Sequence, residues 1–243
     1  MNSMQSTNNV PILSRAELAA SEVRRSCPLV HCLTNTVTIN DVANALIAIG
    51  ASPIMAEDAC ESAEVTEHAD ALVINLGMPS PGKLEAMLRS GRAARTKGIP
   101  IVFDPVGVAL TEFRRQAAEK ILTEVRPNII RGNFSEISYL AELTAVSHGV
   151  DSTNEGFYSQ AERISESIQR AESVSQKYGA ITILTGEQDI ITDGQYTEVQ
   201  AGCSIWLTRM AGAGCVLSAL IAAYAAIACD KEKFIEPSMA DSA

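Results

Sequence analysis

Asp104, Arg131, Glu136 and Cys215 are residue types that can handle a phosphoryl group, and each stands among small or turn-forming neighbours. Asp104 opens Asp104-Pro105-Val106-Gly107, and Arg131 opens Arg131-Gly132-Asn133 with Glu136 one turn later. Cys215 closes Ala211-Gly212-Ala213-Gly214-Cys215, which runs straight into the apolar stretch Val216–Cys229. Small residues therefore bare the backbone just before a long helical pattern. Amides at a helix N-terminus can cradle an anion, with the helix dipole behind them, and such a position favours a thiolate over a thiol. Phosphoryl transfer needs a cation such as Mg²⁺ held by carboxylates, a positive side chain on the phosphates, and amides facing the transferred group. Asp104 and Glu136 could position magnesium, and Arg131 could grip phosphate oxygens with its planar fork. The amides of Gly212–Cys215 could face the transferred group, with Cys215 near the attacking hydroxyl. No GxxxxGK[ST] is present and no GxGxxG follows the first strand, which argues against P-loop and Rossmann readings.

Each residue also has a plainer reading. A glycine-rich turn occurs wherever a strand must turn tightly into a helix. Asp104 before Pro105 could only start a turn, and Asn133 could cap the helix that carries Glu136. Thr185 could cap backbone amides. His31, inside an apolar strand, reads as a satisfied core imidazole, and Cys32 and Cys60 read as packing residues. What weighs against the plain readings together is that acid, base, amide and small residues recur just after successive strands.

The elements that must position these groups come from periodicity. Pro28–Leu33, Pro53–Ala56, Ala71–Leu76, Ile99–Phe103, Ile129–Ile130 and Ala180–Leu184 read as strands, several of them continuous apolar runs expected of strands covered on both faces. Helical patterns fall at Ile39–Ile49, Pro81–Thr96, Glu112–Glu124, Phe134–Leu143, Gly156–Tyr178 and Val216–Cys229. Asp193-Gly194 between Ile190–Thr192 and Tyr196–Val199 signals a hairpin, so an antiparallel edge is expected to follow the parallel set. The alternation predicts an α/β fold, a mostly parallel central sheet with helices on both faces. In open α/β sheets ligands bind beyond the carboxyl ends of the strands. That is where Thr34-Asn35, Gly77, Asp104, Arg131 and Thr185-Gly186 fall. Ser147–Glu155 reads as an exposed loop, and one domain is expected over residues 1–243.

Composition narrows the partners. With 243 residues and 47% hydrophobic content the chain can build a large core. Its net charge of −10 argues against a nucleic-acid or anionic-membrane surface. Aromatics are scarce, so no stacking platform for single-stranded nucleic acid is visible. The 6 cysteines form no CxxC pair and do not join His31, His68 and His148 in a zinc-like spacing, so most are expected to be buried thiols in a reducing compartment. Met1–Arg15 has no signal-peptide core, and Val216–Cys229 is shorter than the ~20 residues of a membrane span. A cytoplasmic protein is the expectation.

The ordered motifs resemble one family closely. Val30-His31-Cys32-Leu33-Thr34-Asn35, Asn40-Asp41, Ala43-Asn44-Ala45-Leu46, Gly50-Ala51-Ser52-Pro53-Ile54-Met55-Ala56-Glu57, Asp104-Pro105-Val106-Gly107, Arg131-Gly132-Asn133-Phe134-Ser135-Glu136-Ile137, Leu184-Thr185-Gly186-Glu187-Gln188-Asp189 and Gly212-Ala213-Gly214-Cys215 resemble hydroxyethylthiazole kinases, the ribokinase-like enzymes of thiamine salvage. The resemblance runs in unbroken order over about residues 14 to 229. It implies a ribokinase-like fold and transfer of the ATP γ-phosphoryl to the primary alcohol of 4-methyl-5-(2-hydroxyethyl)thiazole. By position it implies that Asn35, Met55 and Gly212 contact the thiazole, that Arg131 and Thr185 bind the ATP phosphates, and that Asp104 and Glu136 serve Mg²⁺. Cys215 takes the place of the Asp that is the base in most ribokinase-like kinases. A homotrimer with active sites between subunits is implied as well. Ala211 stands where the family carries Thr, and the family continues for several helices after the motif helix, whereas this chain stops at Ala243. On those departures the alternative expectation is a catalytically weak or inactive thiazole-binding or assembly subunit.

Overall fold

The computed structural model describes residues 12–142, 159–202 and 209–229. In chain order these form α1 (Ile12–Ser26), β1 (Leu29–Leu33), α2 (Ile39–Ile49), β2 (Ser52–Ile54), α3 (Ser62–His68), β3 (Ala71–Asn75), α4 (Pro81–Lys97), β4 (Ile101–Asp104) and α5 (Glu112–Lys120). A π-helical turn over Ile121–Val125 prolongs α5. There follow β5 (Ile129–Asn133), α6 (Phe134–Glu142), α7 (Gln160–Tyr178), β6 (Ile181–Thr185), β7 (Gln188–Thr192), β8 (Thr197–Ala201) and α8 (Ala213–Cys229). The eight strands make one sheet in the order β2-β1-β3-β4-β5-β6-β7-β8. Pairings from β2 through β6 are parallel, and β6-β7-β8 are antiparallel, as the Asp193-Gly194 hairpin predicts. Pro53 sits in β2, the edge strand, where a missing backbone donor is tolerated.

The continuous apolar runs earn their place by feeding two cores. Every residue of β3 and of β4 is buried. Leu72, Ile74, Ile101 and Phe103 pack with Met87 of α4, Ala117 of α5, Leu140 of α6 and Val174 of α7 on one face. Val73, Val102 and Cys32 pack with Val23 of α1, Leu46 of α2 and Ala219, Ala222 and Ala223 of α8 on the other. Full burial of each Leu, Ile or Phe contributes roughly 1.5–3 kcal/mol. Alanines at 219, 222, 223 and 226 recur at helical spacing and are all buried, so α8 seats its small-residue stripe directly on the sheet. Gly91 in α4 faces Val125 so closely that an added Cβ would lie 2.4 Å from its side chain, which brings α4 against the π turn.

Several boundaries move. β4 extends to Asp104 and β5 to Asn133, so the polar residues expected just after these strands are their last residues. Two helices have no counterpart among the expected elements. α1 is largely exposed, with Val23 its fully buried side chain, and α3 has a polar sequence in which Ser62 and Thr66 are the buried residues. α3 carries no apolar stripe to read, whereas α1 has one of mostly small residues, Ile12, Ala16, Ala19, Ala20 and Val23, that went unread. Cys60, expected in the core, is exposed together with Cys27, while Cys32 and Cys215 are buried. Cys60 lies at the mouth of α3, where its backbone amide donates to Asp58 Oδ1 at 2.8 Å, so turn geometry rather than packing fixes its place. The helix expected from Gly156 begins at Gln160, where the Ser159 hydroxyl and the Glu162 carboxylate form a capping box. The expected loop Ser147–Glu155, Cys203, His148 and the tail after Cys229 lie outside the described residues. Among the described residues no helix is long and apolar enough to cross a membrane.

Candidate active site

The strand order sets the location. The chain winds to one side from β1 to β2 and to the other from β3 onward, so β1 and β3 are neighbours whose crossovers diverge. Such a switch point leaves a crevice at the carboxyl ends of the strands. Asn35, just past β1, and Asn75, the last residue of β3, meet across it: Asn35 Nδ2 donates to Asn75 Oδ1 at 3.3 Å. The N-terminus of α8 closes over the crevice and places Cys215 against both amides, with Asn35 Nδ2 3.4 Å and Asn75 Nδ2 3.3 Å from its sulfur.

Glycines let α8 come this close. Gly212 has φ +79°, and a Cβ there would lie 2.0 Å from Thr38 Cγ2. Thr38 is in turn held by Asn35, whose Oδ1 accepts from the Thr38 amide and hydroxyl, each at 3.2 Å. A Cβ on Gly214 would lie 2.2 Å from Arg131 Nη1. The first turn of a helix leaves amides without intrahelical partners, and here that turn sits directly on the guanidinium.

Asp104 is fully buried at the end of β4. Its Oδ2 accepts from Asn75 Nδ2 and Ser218 Oγ, both at 2.9 Å, and lies 3.8 Å from Arg131 Nη1. Burial pushes its pKa up to about 6; Glu136 nearby adds to the rise, while Arg131 and the bonds from Ser218 and Asn75 oppose it. Arg131 also donates through Nη2 to Thr185 Oγ1 across the β5–β6 pair. Two buried atoms of opposite character remain without hydrogen-bond partners, Asp104 Oδ1 and Arg131 Nε. An orphaned carboxylate oxygen and an orphaned guanidinium N–H, on two side chains that approach to 3.8 Å through Oδ2 and Nη1, suit a site for a cation and an anion.

Glu136 has a different setting. Its Oε1 accepts from the Gly107 amide at 2.9 Å and its Oε2 from the Asn133 amide at 2.8 Å. Asn133 Oδ1 accepts in return from the Glu136 amide at 3.0 Å, a reciprocal cap that makes the plain reading of Asn133 correct. Glu136 thus ties the Asp104–Gly107 turn to the start of α6, and each of its oxygens keeps a lone pair. Thr185 proves to bond Arg131 and to donate to the Gly132 carbonyl at 3.4 Å, so it caps no amide within its own turn. Met55, half-buried just past β2, packs against the core cluster that contains Cys215. His31 is the satisfied core imidazole it was read as. Its Nε2 donates to the Ala56 carbonyl at 2.9 Å, its Nδ1 lies 2.8 Å from Thr66 Oγ1, whose hydroxyl also reaches the Ser62 carbonyl, and burial lowers its pKa.

The residues fit a divalent cation on chemical grounds. The unpartnered Asp104 Oδ1 is a hard oxygen donor, and the like charge of Glu136 nearby favours a cation between them. Magnesium keeps several waters, so Glu136 could act through water while retaining its amide bonds. A cavity of about 390 Å³ lies elsewhere, on the α7 side of the sheet between Phe134, Ile164, Leu184 and Ile190, and none of the polar cluster lines it.

The sequence reading missed Asn75 and Ser218. Asn75 was legible as the one polar residue in Ala71–Leu76, and Ser218 as a hydroxyl one turn beyond Gly214 on the buried side of α8.

The sequence matches the hydroxyethylthiazole kinase family over residues 20–239. The chain belongs to this family. A hydroxyethylthiazole kinase from Clostridium beijerinckii is 41% identical over 204 residues, 84% of this chain and 73% of that protein. One from Desulforudis audaxviator is 40% identical over 209 residues, 86% of this chain and 74% of that protein. Among solved structures, the hydroxyethylthiazole kinase protein of Pyrococcus horikoshii OT3 superimposes with a TM-score of 0.76 at 33% identity, covering 86% of this chain and 75% of that one. A ribokinase-like superfamily protein from Enterococcus faecalis V583 has a TM-score of 0.59 at 13% identity, with 92% and 75% coverage, and speaks for the fold alone. The fold of this family member is therefore the expected ribokinase-like one.

Proposed function

We propose that the chain transfers the γ-phosphoryl of ATP to the primary alcohol of 4-methyl-5-(2-hydroxyethyl)thiazole. The observation that carries the reading is the pair of orphaned buried atoms, Asp104 Oδ1 and Arg131 Nε, beside Cys215 at the start of α8. Family membership supplies the acceptor and the nucleotide. Asn35, Met55 and Gly212 hold the thiazole, Arg131 and Thr185 bind the ATP phosphates, and Asp104 and Glu136 hold Mg²⁺. When bound, Mg²⁺ neutralises charge on the phosphate oxygens and leaving group. In the transfer the acceptor oxygen forms a bond to the γ-phosphorus as the bridging bond to the β-phosphate breaks, and the hydroxyl proton leaves toward Cys215 or water. The transition state is loose, so little charge accumulates on the attacking oxygen. Cys215 then chiefly orients the hydroxyl, and general-base help is a smaller share. The assembly is a homotrimer with each site between two subunits, working in the cytoplasm where ATP is supplied.

The test is a steady-state assay of the purified chain with ATP, Mg²⁺ and the thiazole alcohol, with the phosphorylated product identified by mass. Sugars and the aminopyrimidine alcohol of the same pathway serve as competing acceptors. Preferential phosphorylation of the thiazole alcohol is expected; a preference for either competitor, or no product from any acceptor, defeats the reading.

A further inference from the structure

Asn75 has no part in the roles above, yet its carboxamide joins Asn35, Gly77, Asp104 and Cys215, as many bonds as the ligand-facing Asn35 makes. It is buried at the last position of β3. Its orientation is fixed by a donor that cannot reverse: the Gly77 amide donates to Oδ1 at 2.8 Å. The oxygen therefore faces Gly77 and Asn35, and Nδ2 faces Asp104 Oδ2 at 2.9 Å and Cys215 Sγ at 3.3 Å. An amide nitrogen carries two protons, and here each has an acceptor. One lies on the cation side of the site and the other on the acceptor-alcohol side.

The second donor to Asp104 sharpens the argument. Ser218 Oγ lies 2.9 Å from the same Oδ2 and 3.1 Å from the Gly214 carbonyl. With Asn75 and Ser218 both on Oδ2, the plane of the carboxylate is set, and the unpartnered oxygen is Oδ1. The sulfur is set likewise by two amides, Asn35 and Asn75, which approach it from adjacent strand ends.

We propose that Asn75 is a positioning residue for phosphoryl transfer. Its Nδ2 bridges Asp104 Oδ2 and Cys215 Sγ, and one side chain thereby fixes both the carboxylate oxygen offered to the divalent cation and the sulfur beside the acceptor hydroxyl. The role rests on the kinase reading, and Ser218 supports it from α8. A misplacement of about 1 Å in such a constellation can lower the rate ~10²-fold.

The experiment compares Asn75→Ala, Ser218→Ala and the double variant with wild type by two measurements. The first is kcat and KM for the thiazole alcohol; the second is binding of Mn²⁺ alone, followed by electron paramagnetic resonance. Asn75→Ala is expected to lower kcat at least ~30-fold with KM changed less than about threefold, and to weaken Mn²⁺ binding about fivefold or more. Ser218→Ala is expected to have smaller effects in the same direction. The double variant should lose less than the product of the two, because both donors hold one oxygen. Wild-type kcat and Mn²⁺ affinity in Asn75→Ala would overturn the proposal, as would a loss confined to KM. If Asn75→Ala does not fold, Ser218→Ala decides on the same two readouts, since alanine is a good helix former and leaves α8 intact. If wild type turns over no thiazole alcohol, the kinase reading fails by itself and the Mn²⁺ measurement alone decides whether Asn75 presents the carboxylate.

Discussion

Replacing Asp104 by Asn should make the protein more stable and nearly inactive, with a gap in stability that depends on pH. Asp104 is fully buried, and its pKa rises from an ordinary 3.8 to about 6. The folded state therefore binds this proton more tightly than the unfolded state. The sign follows directly: stability is greatest below about pH 4, falls as pH rises toward 6, and stays at the lower level above it. The difference in pKa corresponds to roughly 3 kcal/mol at pH 8. An Asn at 104 keeps an oxygen for the Asn75 and Ser218 donors, while its NH₂ takes the place of the unpartnered Oδ1. A buried NH₂ without an acceptor costs about 1 kcal/mol or more. The net expectation is a gain of about 2 kcal/mol at pH 8, or roughly 4–8 °C for a chain of this size. That gain should shrink to nothing or below by pH 4.5. Urea unfolding of both proteins at pH 8, 6 and 4.5, in a chelator to keep divalent ions away, measures it. If Asp104→Asn is less stable than wild type at pH 8, or if the gap is the same at every pH, the Asp104–Arg131 pair is a net stabiliser and the site holds no strained charge.

Three further outcomes follow from the same geometry. Gly214→Ala puts a methyl where Arg131 Nη1 now lies, and the guanidinium is the movable partner; KM for ATP should rise about tenfold or more while thermal unfolding changes little. An unchanged KM would place the phosphates elsewhere. Arg131→Lys keeps the charge but loses both the fork and the bond to Thr185, so turnover should drop at least ~10-fold in the steady-state assay, and wild-type turnover would make Arg131 structural. Cys215→Ala should retain weak activity, with kcat down on the order of 10²-fold; a rate equal to wild type across pH would reduce Cys215 to a small residue filling the crevice.

Much of this site could be read before any coordinates. Asp104, Arg131 and Cys215 sit directly beside Pro or Gly, and Glu136 follows Gly132 by one turn; residues that end strands or start helices announce themselves by such neighbours. The apolar runs of β3 and β4 were equally plain, because a strand covered on both faces has no polar positions to interrupt it. α3 was hidden for the opposite reason: a helix that buries Ser62 and Thr66 leaves no periodic apolar trace, and the stripe of α1, Ala16, Ala19, Ala20 and Val23, is mostly alanine and easily passed over.

What the sequence determined by itself was local: which segments are strands, where the backbone is bared by glycine, and which charged residues stand at element ends. Only the tertiary structure decided how these ends combine. The divergence of the crossovers at β1 and β3 opened the crevice, and the packing of the Ala219–Ala223 stripe set how far α8 slides over it. Those two facts bring Asn35, Asn75, Asp104 and Ser218, distant in the chain, within hydrogen-bond reach of one another or of Cys215. The pairing of β4 with β5 likewise made Glu136 a clamp on two backbone amides at their ends, and Asp104 Oδ1 and Arg131 Nε, at the ends of the same two strands, are left without partners. Partner choice of this kind is a matter of distance between segments far apart in the chain, which periodicity and residue type do not encode.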